Sequence, residues 1–399
     1  MENTSPAPYE RDIELELTIR GFGNSGDGIA RNPGGGVVSI PGSIPGETVK
    51  AKALARRRGI IHARVLEVLD PSPNRVAPPC SEIANGCGAC QWQHIDLAAQ
   101  RSYKYDQIAD ALGVARVEDP THVSLLRPMV ELPPTGFRTT LHAAVSNGRA
   151  GLRRYRSHRV VPVEECLVAH PLLNDLIQNG KYPGASDVLL RCGERTGERL
   201  AMPDPLDIRM VVPSDVRTDH IHENAAGMKW RISADSFFQA RPDGVDALGD
   251  AVRDAADEMG EPGHALDLYS GVGVFAGVLA LRGWSVTAVE GDEGAVKDAG
   301  VNLRGLEAKA IRADVNEWSP PKSDLVVADP SRAGLGSKGV GVVVASKPRR
   351  VVLISCDANS LNHDAHLLGK AGYKLSYATP IDLFPHTYHV EVVSVFDRV

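Results

Sequence analysis

From about residue 230 to the carboxyl terminus, short apolar runs recur, and each stops on a polar or glycine-rich segment. Residues 265–269 run into Ser270-Gly271-Val272-Gly273, residues 286–289 stop at Glu290, and residues 310–313 stop at Asp314. Residues 325–328 stop at Asp329, and the almost purely apolar 351–355 stop at Cys356. Runs this short, with little polar alternation, read as strands buried on both faces. Residues 274–281 read as a helix after the first of them, which gives the strand–helix–strand alternation of a parallel sheet. Two further runs, 375–383 and 390–396, follow one another like a hairpin. The expectation is a doubly wound, Rossmann-like α/β domain over residues 229–399. In such sheets chemistry gathers beyond the carboxyl ends of the strands. The residues that stop the runs are therefore the first candidates for function.

The amino-terminal part has a different period. Ile13, Leu15, Leu17 and Ile19 alternate with Glu14, Glu16 and Thr18, as in a half-buried strand. Turn signals follow at Gly21-Phe22-Gly23, Asp27-Gly28, Gly34-Gly35-Gly36, Pro41-Gly42 and Pro45-Gly46. Short strands between regular turns predict a small OB-like β-barrel over residues 1–70. Prolines at 71, 73, 78 and 79 mark residues 67–79 as a linker. Between barrel and sheet, residues 71–228 read as a central α+β domain, with helices near 97–112 and 171–178. The 399 residues suit such a multidomain α/β chain.

The formal net charge of −6 weighs against a nucleic-acid partner only as a total. Lys50, Lys52, Arg56, Arg57, Arg58 and Arg64 follow one another with no acid between them, and Arg149, Arg153, Arg154, Arg156 and Arg159 form a second cluster. Residues 243–329 are instead acid-rich. Local basic faces, more than the sum, decide phosphate contact. No apolar stretch reaches membrane-spanning length, and residues 1–11 carry no apolar signal core. A cytoplasmic protein with no membrane partner, acting as a monomer, is expected.

Glycines at 271 and 273 after a strand let backbone approach a ligand at a helix start. Ala276 stands where the dinucleotide fingerprint has its third glycine, and Glu290 ends the second strand, where a carboxylate grips ribose hydroxyls. By these residues alone, a nicotinamide cofactor and S-adenosylmethionine both fit. Cys80, Cys87 and Cys90 form C-x6-C-x2-C, with Cys166 far downstream. Thiols so closely spaced in a long chain with six cysteines point to metal rather than a disulfide scaffold. Four thiolates suit zinc and an iron–sulfur cluster equally by count. Cys192 stands alone and reads as buried.

Several segments taken together carry a resemblance. The ordered set of residues 266–273, Asp329-Pro330-Ser331-Arg332, Ser355-Cys356-Asp357 and residues 384–391 resembles the RNA uracil-C5 methyltransferase family. Ser236-Phe237-Phe238-Gln239 resembles that family's segment ahead of the cofactor loop. Gly26-Asp27-Gly28-Ile29-Ala30-Arg31 and Pro45-Gly46-Glu47 resemble its TRAM domain. The likeness covers nearly the whole chain in motif order and is greatest to members acting on 23S ribosomal RNA. Two departures stand out. Ser331 replaces a usual proline, and Asp357-Ala358-Asn359-Ser360 replaces the usual Asn-Pro-Ala-Thr.

The resemblance implies a class I methyltransferase domain, S-adenosylmethionine as cofactor, and RNA as partner, ribosomal RNA favoured and transfer RNA second. It implies that Gln239, Tyr269, Gly271, Gly273, Glu290, Asp314 and Asp329 form the cofactor and target site. It also implies a [4Fe-4S] cluster on Cys80, Cys87, Cys90 and Cys166. Uracil C5 is a poor nucleophile until a thiolate adds at C6, so Cys356 is expected as nucleophile and Glu391 as the base that takes the C5 proton. If the last strand runs antiparallel, Glu391 faces Asp329 and Cys356 across one cleft. Arg332 is expected in substrate contact or in an ion pair. Cytosine-C5 enzymes typically use two cleft cysteines, and only Cys356 is available here. A non-catalytic RNA-binding or ribosome-assembly protein, and a redox protein using the cluster, are the readings from other classes.

Overall fold

A computed structural model describes residues 13–114 and 125–399. The expectation for residues 1–11 lies outside the described residues. By internal contacts the chain groups into two units.

The first unit holds the residues up to Ala84, Gly88–Gln100 and His386–Tyr388. Its six strands pair in the order Glu14–Thr18, Thr48–Arg57, Ile60–Asp70, Val37–Ile40, Gly28–Arg31 and Gly21–Phe22. All pairings are antiparallel except that of Val37–Ile40 with Ile60–Asp70. Alternation decides which face is inside. Val49, Ala51 and Ala53 are buried with Leu17, Val38 and Ile40, while Lys50 and Lys52 between them are partly exposed. The expected linker behaves otherwise. Its first residues continue the strand to Asp70, and Arg75 then folds back on the buried Glu47, its Nε 2.6 Å and Nη2 2.7 Å from the carboxylate. A carboxylate sealed from water needs such a partner, and it also accepts the Ile44 N–H at 2.8 Å. Trp92 is fully buried, donates its indole N–H to the Gly26 carbonyl at 2.8 Å and packs on the Phe22 ring 4.7 Å away.

The second unit holds Asn85–Cys87, Arg101–Pro385 and His389–Val399. One six-stranded sheet runs in the order Val216–Arg217, Arg199–Asp204, Asp187–Cys192, Thr140–Ser146, Arg149–Arg153 and Val160–Pro162, with the helix Pro171–Asn179 among its strands in sequence. His220–Ala225 and Met228–Ser233 form a two-stranded sheet, and a third sheet has seven strands: His264–Leu268, Ser285–Glu290, Ala308–Arg312, Leu325–Ala328, Arg350–Ser355, Tyr373–Pro380 and Val392–Arg398. Across the sheet they lie third, second, first, fourth, fifth, seventh, sixth. The first five are parallel, and the seventh enters antiparallel beside the fifth and the sixth. Its central strands are sealed on both faces: Leu325, Val326, Val327 and Ala328 are all fully buried. That explains why their sequences run apolar without alternation. The order reverses between the first and fourth strands, and the cleft opens at such a switch point.

Candidate active site

The first strand delivers its chain into a turn with left-handed backbone. Tyr269 has φ +60° and Gly271 φ +52°. Gly273, at φ +93°, caps the helix Val274–Ala280, and a Cβ there would stand 3.2 Å from Leu303. The turn leaves backbone N–H groups facing the second strand's end. Glu290 accepts the Gly271 N–H at 2.9 Å on one oxygen and the Asp292 N–H at 2.8 Å on the other. Asp267, beneath the turn, is fully buried and accepts the Ala276 N–H at 2.8 Å. Burial pushes its carboxyl up to about 8, with the Asp329 and Glu290 charges adding to the effect.

The reversed seventh strand supplies the other side. Ser355 pairs with Val392 across the sheet, so Cys356 and Glu391 are the next residues outward on the same edge. Both line one cavity of about 610 Å³, together with Asp329 at the end of the fourth strand. That volume is ordinary for a small-molecule site. Gln239, Tyr269, Gly271 and Glu290 line the same cavity. Two expected residues do not. Gly273 makes the turn without lining the cavity, and Asp314 instead caps the short helix Val315–Glu317 by accepting the Asn316 N–H at 2.9 Å.

The cavity also draws in residues that sequence reasoning left out or treated lightly. Asp235 and Asp292 join Glu290 at the glycine-turn end, and Phe384, His389 and Arg332 join Cys356 at the other. Arg332 approaches the His389 ring at 3.4 Å, Nη2 to Nε2. The histidine is neutral there: burial, and the charges of Arg332, Lys104 and Arg138, push it down to about 4. Asp235 had no signal beyond its place just ahead of Ser236-Phe237-Phe238-Gln239. Asp292 could have been found as the N-cap two residues after Glu290.

Charge is distributed unevenly within the pair of acids that faces Cys356. Glu391 is raised well above the ordinary carboxylate range by burial and by Asp329, with Arg332 pulling the other way. Asp329 is raised by burial as well. Two carboxyls sharing a largely buried site do not both ionise cheaply, so the pair retains a proton where an exposed acid would lose it. The Cys356 thiol is pushed up to about 12, by burial first and then by the negative charges of Glu391 and Asp329. These surroundings favour the thiol, and a positive charge brought into the cavity would favour the thiolate.

The cysteine site reads differently from the sequence expectation. Among the described residues, no group of three or more His, Cys, Asp or Glu side chains is placed to hold a metal ion. Cys80 and Cys90 fall in the first unit, Cys87 and Cys166 in the second.

Comparison with known proteins gives the same outline from another direction. The TRAM domain family model matches residues 13–66. An uncharacterized RNA methyltransferase of Streptomyces avermitilis is 33% identical over 426 residues, covering 96% of this chain and 98% of its own. The chain belongs to the RNA methyltransferase family. A second such relative, from Streptomyces coelicolor, is 32% identical and covers 96% of this methyltransferase and 93% of its own length. Among solved structures, the tRNA (uracil-54, C5)-methyltransferase of Pyrococcus abyssi, in complex with S-adenosyl-L-homocysteine, superposes with a TM-score of 0.75 at 22% identity. That alignment spans 96% of this chain and 100% of the archaeal one, so the two share a fold throughout. The family expectation is thereby met at the level of an RNA methyltransferase. No helix among the described residues is long and apolar enough to cross a membrane.

Proposed function

We propose that this methyltransferase transfers a methyl group from S-adenosylmethionine to C5 of a uridine in RNA, through a covalent bond between Cys356 and C6 of the uracil. The observation that carries the reading is the meeting of Cys356, Glu391 and Asp329 in one cavity with the Gly271–Glu290 turn. The cavity's two ends suit two ligands. Asp235, Glu290 and Asp292 put carboxylates where a cationic, hydroxyl-rich molecule would sit, and the Gly271 position leaves open space where a side chain would stand. Those residues fit adenosylmethionine, with Gln239 and Tyr269 along the same wall. When bound, it supplies an electrophilic methyl and a positive sulfonium. The shared fold with the Pyrococcus abyssi enzyme supports the same choice of cofactor and target atom.

At the other end the residues act on the base. Cys356, having lost its proton to solvent, bonds as the thiolate to C6, and the electron pair of the C5–C6 double bond becomes available at C5. C5 then takes the methyl group, with S-adenosylhomocysteine as the leaving group, and its own proton leaves to Glu391. Loss of that proton restores the double bond as the C6–S bond breaks, releasing 5-methyluridine and a thiolate. Asp329 lies beside both groups, where it sets the proton affinity of Glu391 and can orient the ring. The base reaches the cavity by leaving its stack, at a cost of roughly a few kcal/mol. Stacking on an aromatic wall such as Phe384 offsets about 1–3 kcal/mol of that.

Ribosomal RNA is the proposed substrate. Transfer RNA is the second reading, favoured by the full-length match to a transfer-RNA enzyme. Mapping 5-methyluridine in both RNA classes from cells lacking the protein tests both: one specific site should lose its methyl group, and loss of none removes the proposal. A [4Fe-4S] cluster on Cys80, Cys87, Cys90 and Cys166 rests on the cysteine spacing together with the family resemblance, and no step of the reaction passes through it. Iron and acid-labile sulfide in the purified chain would support it, and zinc alone would remove it.

A further inference from the structure

Residues 381–391 join the last two strands, and Phe384 within them lines the same cavity as Cys356. Just ahead of Phe384, the N–H groups of Ile381, Asp382 and Leu383 all find backbone carbonyls, and three cations from distant parts of the chain hold the side chain of Asp382 and the carbonyls that follow it. Lys104, on the helix Leu97–Leu112, is 1% exposed; its Nζ stands 2.8 Å from the Asp382 carboxylate and donates to the Phe384 carbonyl at 2.8 Å. Arg101, three residues earlier on that helix, donates its Nε to the other Asp382 oxygen at 2.9 Å. Arg241 is fully buried, is neutralised by Asp243 at 2.6 Å, and donates to the Leu383 carbonyl at 3.3 Å and the Pro133 carbonyl at 3.1 Å. Residues 382, 383 and 384 are thus each gripped by a positive side chain.

Burying an ammonium and a guanidinium adds little stability, because desolvation cancels most of the attraction. What such groups do give is a single geometry, since a half-made network in a dry interior is costly. The geometry fixed here is that of one ring. Phe384 meets the His389 ring edge-on at 6.2 Å, with the Arg138 guanidinium 5.9 Å over its face. Lys104 also contributes to keeping His389 neutral, so the same cation bears on both rings at the target end.

We propose that Lys104, Asp382 and Arg241 form a clamp that positions Phe384 as the wall against which the target base is held, with Lys104 a positioning residue acting through Phe384. The inference rests on the cavity being the site of base methylation, but not on which atom of the base receives the methyl group.

A double-mutant cycle on the full chain tests it, reading total methyl incorporation into unfractionated RNA, with S-adenosylhomocysteine affinity measured alongside. Lys104→Met should lower kcat by about 100-fold, the scale of a small misplacement of a reacting group, and leave S-adenosylhomocysteine affinity within about twofold. In a chain already carrying Phe384→Ala, the same change should cost less than about threefold further. Losses that multiply fully, or a parallel loss of S-adenosylhomocysteine affinity, would overturn the clamp. If Lys104→Met does not fold, Arg101→Gln, at a partly exposed member of the same ion pair, takes its place in the cycle. Its own loss should be smaller, and full multiplication with Phe384→Ala would overturn the clamp in the same way. A wild-type chain that methylates RNA at another atom would overturn the uracil-C5 proposal and leave this cycle intact.

Discussion

The two ends of the cavity solve the placing of charge in opposite ways. At the glycine turn, Glu290 has backbone N–H groups on both oxygens, so its charge is held by dipoles that belong to the fold. At the target end, Glu391, Asp329 and the Cys356 thiol line one cavity, and all three are shifted toward their protonated forms, by burial first. A binding carboxylate should stay charged whatever arrives. A group that must accept a proton during turnover is better held near neutrality, where giving and taking are both accessible. The contrast separates a gripping end from a reacting end.

Mutations should separate the ends in the same way. Cys356→Ala should lower methyl transfer by at least about 10⁴-fold, as loss of a nucleophile does, while S-adenosylhomocysteine still binds. Retained turnover would end the covalent account. Glu391→Gln should lower the rate by about 10²–10⁴-fold, the usual worth of a positioned base, again with cofactor-end affinity unchanged in titration calorimetry. Glu290→Ala is the reverse case. It should weaken S-adenosylhomocysteine by about 10–100-fold, the range of charge-assisted hydrogen bonds, with kcat at saturation little altered. If Glu290→Ala instead fell mainly in kcat, the division into two ends would be wrong.

The smallest effect is a shift in pH dependence. Because the base must be ionised to act and Glu391 is raised, log(kcat/KM) should climb with pH well above the ordinary carboxylate range. The Asp329 charge is one cause of that elevation, so Asp329→Asn should move the climbing limb to lower pH. A limb that stayed in place would show that the two acids do not share their proton.

Local signals made the gripping end legible from sequence. An apolar run, a glycine turn and a carboxylate about 20 residues on are contiguous features. The helices near 97–112 and 171–178 appear as Leu97–Leu112 and Pro171–Asn179 for the same reason. Asp314 shows the limit of that reasoning. It ends the third strand as expected, but its side chain turns to the backbone of Asn316, a use that strand-end position does not reveal. The reacting end was legible only in part. Cys356 and Glu391 could be named, but their nearness depended on the last strand reversing, which Ser355 opposite Val392 provides. Phe384 is held at the cavity by Lys104 on its carbonyl, Arg138 over its ring and Arg241 on the carbonyl of Leu383 before it, all far away in sequence, and no period or spacing encodes that. Likewise the proline-rich stretch after the first sheet reads as a linker until Arg75 is seen closing on the buried Glu47.

The covalent step can be seen directly in the Glu391→Gln chain. Incubated with S-adenosylmethionine and substrate RNA, then denatured and digested, it should yield a Cys356 peptide heavier by one methylated uridine nucleotide, because the adduct forms and cannot shed its C5 proton. A peptide of unmodified mass at Cys356, or a nucleotide attached to a different residue, would contradict the account.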